Sequence, residues 1–476
     1  MKIALLPLDS RPCNVLFPHQ LAAWCHHECL LPAKADMDFF TAPAAFEASR
    51  AFMLRSAEAA EALVVSVDHL CYGSLLASRS DEVALPLALE RLDFLRELHR
   101  LFPQKPVYAY SVIMRSSISA LYCSDLTAYN AMTEYSVYTD RAAQTGDPAD
   151  HERAQAARAL IPQAVLTRYQ HARARNHAVN LRCVELAAQG VVHSLALLQE
   201  DAQPFGFHRQ EQRALLQAKA SPNVWLHNGA DEGGALTVMK AIAQKEALSP
   251  IAVAYLGCPD GDFVACYEDR PFRENVNDSL DYAGLTVHPQ ARIVLAVCAP
   301  PDGRQTDWEN PACAQEYRTM AAQVARLVQD GRQVYLLDQT RANGGSPTLM
   351  RAVHELLGSM KLAGYSAWNT ASNALGTAIA QIMSDQLAGQ INTPFLWERL
   401  LDDLAYQGAV RACVNARLEA CGEDPLHLSH PRAAQRLAAD EMAAWLHTEP
   451  LFEHVPAWRL ALPWNRTFEA DVRLQP

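Results

Sequence analysis

The chain has 476 residues and a mass of 52.5 kDa, with half of its residues hydrophobic and a fifth charged; this is an ordinary globular composition with chain enough for about three domains. Its 41 basic and 53 acidic side chains leave a formal charge of −12. That balance lacks the Lys/Arg footprint wanted by phosphate backbones and anionic membrane surfaces, and it argues against a nucleic-acid or membrane partner.

The N-terminus reads MKIALLPLD, and its apolar run stops at Asp9, too soon for a signal peptide. No segment holds the roughly 18 uninterrupted apolar residues of a membrane span. Twelve cysteines are scattered without framework spacing, as expected for reduced thiols in a cytoplasmic protein. Strands are expected over residues 3–8, 63–67, 107–113, 195–198, 224–226, 251–255, 293–297, 334–337 and 362–368. Amphipathic helices lie between most of them, for example over 83–101, 235–247 and 316–328. The alternation predicts an α/β fold built from parallel βαβ units. Two breaks are visible. Residues 117–189 read as a helical insertion around a polar turn at 144–150 (QTGDPAD), with a basic stretch at 168–175. After residue 371 the chain reads as helical, ending in a Pro-punctuated tail.

Two arrangements fit: two lobes, or a distorted β/α barrel. The two-lobe form is preferred because Ser249-Pro250 makes a natural break before a fresh strand. The expected domains are an N-terminal α/β lobe over 1–248 carrying the insertion, a second α/β lobe over 249–390, and a helical C-terminal portion over 391–476. In both arrangements ligands bind at the carboxyl ends of the strands.

Many of the expected strands run straight into polar residues. The first ends at Asp9 in LPLDSRPCN, where Pro12 favours an extended Arg11 that projects into a cleft or pairs with Asp9. The second ends at Asp68, followed by Tyr72-Gly73, an aromatic face suited to a sugar ring or simply a buried tyrosine. The third ends at Arg115, the fourth at Glu200-Asp201, and the fifth at Asn228 with Asp231-Glu232 in GADEGG. Later strands end at Asp338, with Arg341 and Asn343 after it, and at Asn369, with Asn373 in the following turn. Each such residue is equally at home as a helix cap; it is their accumulation on one edge that points to a polar ligand.

The glycine-rich turns lack Gly-Lys-Ser/Thr and form no dinucleotide fingerprint, so no cofactor is expected. Cys25, His26, His27 and Cys29 in WCHHEC have no partner CxxC, and HExxH is absent. No metal is therefore assigned, although strand-end aspartates remain compatible with a divalent ion. There is no GxSxG elbow.

LPLDSRPCN, DHLCYGSLLASR, QEDAQPFG, GADEGG, NGGSPTL, SAWNTASNALGTA and PWNRTFEADV together resemble the bacterial domain-of-unknown-function family numbered 4127, almost end to end. The family more often has paired aspartates where this chain has Glu200-Asp201, which favours Asp201. The resemblance brings no established activity. It implies that the C-terminal tail is integral, with Trp464, Asn465, Arg466 and Glu469 packing back near a site or acting as an anchor.

The residues favour a hydrolase, a glycosidase acting on a small sugar conjugate. Asp201 with Asp231 or Glu232 forms its acid–base pair. Asp9, Arg11, Asp68, Tyr72, Arg115, Asn228, Asp338, Asn343, Asn369 and Asn373 bind the substrate. The alternatives are a metal-dependent sugar or sugar-acid isomerase or lyase, and a non-catalytic sugar-binding protein. The expected partner is a small carbohydrate, with self-association left open.

Overall fold

Each apolar run expected to be extended forms a strand. The computed structural model describes residues 1–119, 125–301, 303–357 and 361–475. In chain order the strands are β1 (Lys2–Leu6), β2 (Glu28–Leu30), β3 (Ala62–Ser66), β4 (Val107–Ile113), β5 (Ser194–Gln199), β6 (Val224–Asn228), β7 (Ile251–Leu256), β8 (Ile293–Cys298), β9 (Gln333–Asp338), β10 (Gly364–Ser366), β11 (Trp458–Ala461) and β12 (Asp471–Leu474). They sort into a six-stranded sheet of order β2-β1-β3-β4-β5-β6, a four-stranded sheet of order β10-β9-β8-β7, and the β11–β12 pair. Every pairing in the two larger sheets is parallel, and β11–β12 is antiparallel. The fold is α/β, with two parallel sheets instead of one barrel.

The chain divides into two compact units. The first contains Met1–Ser10, His27–Gln244 and Tyr267–Arg270; the second contains Arg11–His26, Lys245–Cys266 and the chain from Pro271 onward. In the first unit β3, β4 and β5 are buried along their whole length, as strands covered on both faces must be. One face packs Leu63, Val65, Ala109 and Leu197 against Phe52, Met53, Leu95 and Val184 of covering helices. Each of the larger of these side chains, Ala109 aside, contributes about 1.5–3 kcal/mol when fully buried. On the other face the helix Gly233–Ala243 starts directly against Leu198 and Tyr110, where a Cβ at 233 would force the Leu198 side chain to shift.

The insertion forms the helices Leu126–Thr145, Pro148–Ala159 and Gln163–Ala188. Its polar turn works residue by residue: Gly146 ends the first helix at φ 70°, Asp147 caps the second through Ala149 N at 2.9 Å, and Pro148 fills the first helical position. The helix expected over 83–101 is two, Leu85–Leu92 and Phe94–Leu101, joined at Asp93.

In the second unit the helix Pro12–Trp24 packs on Ala371–Ala388, where Ser384 Oγ donates to Leu21 O at 2.7 Å. The tail is not wholly helical, because Trp458–Ala461 and Asp471–Leu474 form the β11–β12 hairpin. The segment Leu400–Val410 is a π-helix. Among the described residues no helix is long and apolar enough to cross a membrane.

Candidate functional site

In the first sheet the strand order reverses between β1 and β3, and open parallel sheets bind ligands at such a switch point. Past β1 the chain reaches Asp9, which is fully buried. Past β3, Ser66 Oγ accepts from His69 N at 3.2 Å and starts the helix Val67–Tyr72. His69, which sequence reasoning missed, is buried near Asp9 with neither ring nitrogen hydrogen-bonded among the described residues, and burial pushes its imidazole down to about 4. Asp68 lies in the first turn of that helix instead of at a strand tip. Its Oδ2 accepts from Val112 N at 2.8 Å, and burial raises its carboxyl to about 6. It therefore ties β4 to the helix. Tyr72 offers no open face: it is buried, and the Arg175 guanidinium sits 4.2 Å from its ring centroid. The expected sugar platform is filled by a cation–π contact.

At the ends of β4 and β5 the charges pair. Arg115 Nη2 lies 2.5 Å from Asp201 Oδ2, and Arg79 pairs with Glu200. Strand alternation predicts that only one of the two acids enters a cleft. Because β5 ends at Gln199, both acids meet arginines, and Arg115 Nη1 also lies 4.0 Å from Glu200 Oε1. The Asp201 side chain is 22% exposed and that of Glu200 is 7% exposed, so Asp201 is the accessible one. Arg79, absent from the sequence-based set, also lines a cleft of about 120 Å³ with Asp81, Met114, Arg168 and Tyr169.

Past β6 the loop folds onto itself. Glu232 Oε2 accepts from Ala230 N at 2.9 Å, and Gly229 stands at φ 124° where a Cβ would overlap the Glu232 carboxyl. Burial first, then the charges of Asp231 and Glu268, push Glu232 well above the usual carboxylate range. His227 Nδ1 is 4.0 Å away, and burial lowers that imidazole to about 4. Glu232 acts as a clamp on the loop that carries Asp231, and the helix begins beyond both.

The segment Tyr267–Arg270 adds two acids that the sequence did not point to. Asn228 Nδ2 donates to Glu268 at 2.5 Å and to Asp269 at 2.9 Å. Burial alone would raise Asp269, but Arg270 and Arg209, with bonds from Asn228 and Gln212, hold it at about 2. Asn228 is thus a hub between β6 and this segment, with its amide already engaged by two carboxylates.

In the second unit, Asp338 ends β9 fully buried. It accepts from Thr340 N and Oγ1 at 3.1 and 2.6 Å, from Ser346 N at 2.7 Å and from Tyr365 OH at 3.1 Å. With both oxygens engaged twice, it closes the loop and is not placed to hold a ligand. Ser346 Oγ accepts from Leu349 N at 3.0 Å and caps the helix that opens at Pro347. Asn343 adopts φ 57°, donates from its side-chain Nδ2 to Asp307 Oδ1 at 2.9 Å, and donates from its backbone N to Asn369 O at 3.0 Å. The loops carrying Asn343 and Asn369 are therefore joined, and Asn373 lies in the first turn of the next helix.

Arg11 is extended, at φ −67° and ψ 151°, as Pro12 requires. Its guanidinium is 5.3 Å from the Trp464 ring centroid and 3.9 Å from Glu469. The buried trio on the π-helix has no signature in the sequence. Arg399 Nη1 meets Asp403 at 2.8 Å and Asp402 at 3.2 Å, while Asp403 Oδ2 accepts from Ala367 N and Trp368 N at 2.8 and 3.2 Å.

The cysteines of WCHHEC serve packing. Cys25 closes the first helix, with its thiol donating to Leu21 O and Ala22 O at 3.3 Å, and Cys29 is buried in β2. Among the described residues no group of three or more His, Cys, Asp or Glu side chains is placed to hold a metal.

Fold and site together define an α/β protein with two parallel sheets and charged groups gathered past their strand ends. The chain belongs to the family described as "Protein of unknown function (DUF4127)", whose model matches residues 3–473. No curated protein and no solved structure matches it.

Proposed function

We propose that the protein is a glycosidase-type hydrolase acting on a small sugar conjugate, with Asp201 and Asp231 as its carboxylate pair. One observation carries the reading: Gln199 and Asn228 are register partners at the ends of the adjacent strands β5 and β6. Asp201 and Asp231 follow them in neighbouring loops, and neighbouring strands lie ~4.8 Å apart. Carboxyl groups on such loops can flank one glycosidic bond. One protonates the leaving oxygen, and the other serves as nucleophile or activates water as the oxocarbenium-like transition state forms. Arg115, paired with Asp201 at 2.5 Å, orients that carboxylate. Glu232, clamped to Ala230 N, becomes a positioning residue for Asp231 and leaves the catalytic pair. A cytoplasmic setting fits cysteines carried as thiols.

The test is a screen of the purified full chain against chromogenic glycosides, with and without EDTA. Hydrolysis of at least one glycoside at an EDTA-independent rate is expected. Absence of hydrolysis across the panel, or loss of it with EDTA, contradicts the reading.

A further inference from the structure

In the second unit the C-terminal motif and the loop after β10 meet around one aromatic ring. The Phe468 ring lies 5.9 Å from that of Trp368, with the guanidinium carbons of Arg411 and Arg466 at 5.0 and 5.5 Å from its centroid. Arg466 is matched by Glu469, which takes Nε at 2.5 Å and also pairs with Nη2. Arg411 has no such match: its Nη1 is buried with no hydrogen-bond partner. The charge of Arg341 acts on it, and those of Glu469 and Asp307 act with the opposite sign. Arg341 spends Nη1 and Nη2 on the carbonyls of Gly408 and Asp307 at 2.8 and 2.7 Å, and its Nε is buried without an acceptor. Trp368 is 7% exposed, and its indole Nε1 likewise has no acceptor.

A buried polar group left unbonded is costly, more so when it is charged, and native proteins keep few of them. All three of these groups are N–H donors, and two belong to guanidinium groups. What they lack in common is an acceptor, and its natural charge is negative. Burial, with Arg341 adding to it, outweighs Tyr406, Glu469 and Asp307 and presses the Arg411 guanidinium below its ordinary value, the direction an entering anion would reverse. Gln407 supplies the opposite need. Its Nε2 donates to Phe468 O at 3.1 Å, while its Oε1 is buried and unbonded, so it can accept from a hydroxyl. Arg411, Arg466 and Phe468 are only partly buried, which leaves the cluster reachable from solvent.

We propose that the corner formed by Arg341, Trp368, Gln407 and Arg411 binds a small hydroxylated oxyanion, the carboxylate of a sugar acid or the phosphate of a sugar phosphate. This site is independent of the carboxylates past β5 and β6.

The test is isothermal titration of the full chain with inorganic phosphate, glucuronate, glucose 6-phosphate and glucose, at an ionic strength fixed by sodium chloride. Saturable binding of at least one sugar anion, with glucose much weaker, is the expected result. Tighter glucuronate assigns a sugar acid, and tighter glucose 6-phosphate a phosphate ester. Arg411→Gln and Trp368→Phe should each weaken that binding about tenfold or more, the worth of one charge-assisted bond. Arg411→Gln should melt no lower than the wild type when no anion is present. If Arg411→Gln fails to fold, Trp368→Phe decides, since it keeps a ring and removes only the N–H. The proposal is overturned if no anion binds, if glucose binds as well as the anions, or if affinity is unchanged in the folded variants.

Discussion

Gln199 and Asn228 stand opposite each other at the last positions of β5 and β6, and Gly229 N donates to Gln199 O at 2.9 Å. The chain therefore leaves the sheet at two adjacent points, one leading to Asp201 and the other to Asp231. Replacing either aspartate with asparagine should preserve the fold and cut glycoside turnover by about 10²–10⁴-fold, the usual worth of a positioned acid or base. Matched melting curves and rate assays check this.

Glu232 and Gly229 separate loop geometry from chemistry. Glu232→Gln keeps an oxygen for Ala230 N and should retain most activity. Gly229→Ala puts a Cβ into the Glu232 carboxyl at a φ of 124° and should lose both activity and stability. Because the folded Glu232 binds its proton above the ordinary value of 4.5, its contribution to stability is full below that pH and is lost as pH rises towards the folded value. Glu232→Gln should thus gain on the wild type as pH increases from 4.5 to neutrality. Melting temperatures across that range measure it.

Asp269 carries the opposite sign. Its folded value of about 2 lies below the ordinary 3.8, so its contribution is present above 3.8 and disappears as pH falls through 2. Asp269→Asn should cost about 2.5 kcal/mol at neutral pH, because its carboxyl lies at about 2 instead of 3.8 and each tenfold in proton affinity is worth ~1.4 kcal/mol. The difference should vanish in strong acid. Denaturant titrations at several pH values give the comparison.

Arg399→Met would leave the buried Asp402 and Asp403 without their cation. Breaking such a group from one side costs about 3–5 kcal/mol, and Asp403 also holds the amides of Ala367 and Trp368. A loss of that size in urea unfolding is expected, together with weaker order in the loop after β10.

The strands that were legible from sequence are those whose apolar runs are continuous, because parallel strands buried on both faces need no polar alternation. β2 escaped because it is three residues long and begins with Glu28. The β11–β12 hairpin escaped because its strands are short, carry Arg459 and Arg473, and sit in a Pro-punctuated tail. At the site, local sequence located the strand-end acids but could not identify their partners. Arg79 reaches Glu200 from 121 residues away, and Glu268 and Asp269 reach Asn228 from a segment beyond β7, pairings with no periodic signature. Asp68, Tyr72 and Asp338 looked like ligand groups because they follow strands. Their hydrogen bonds and burial give them structural work instead, a distinction that residue type alone does not carry.

The central claim is tested most directly by the initial rate of Asp201→Asn on the best glycoside found for the wild type, measured beside its melting temperature. A fall of about 100-fold or more at an unchanged melting temperature is the predicted result. Hydrolysis at the wild-type rate by the folded Asp201→Asn protein would contradict the account.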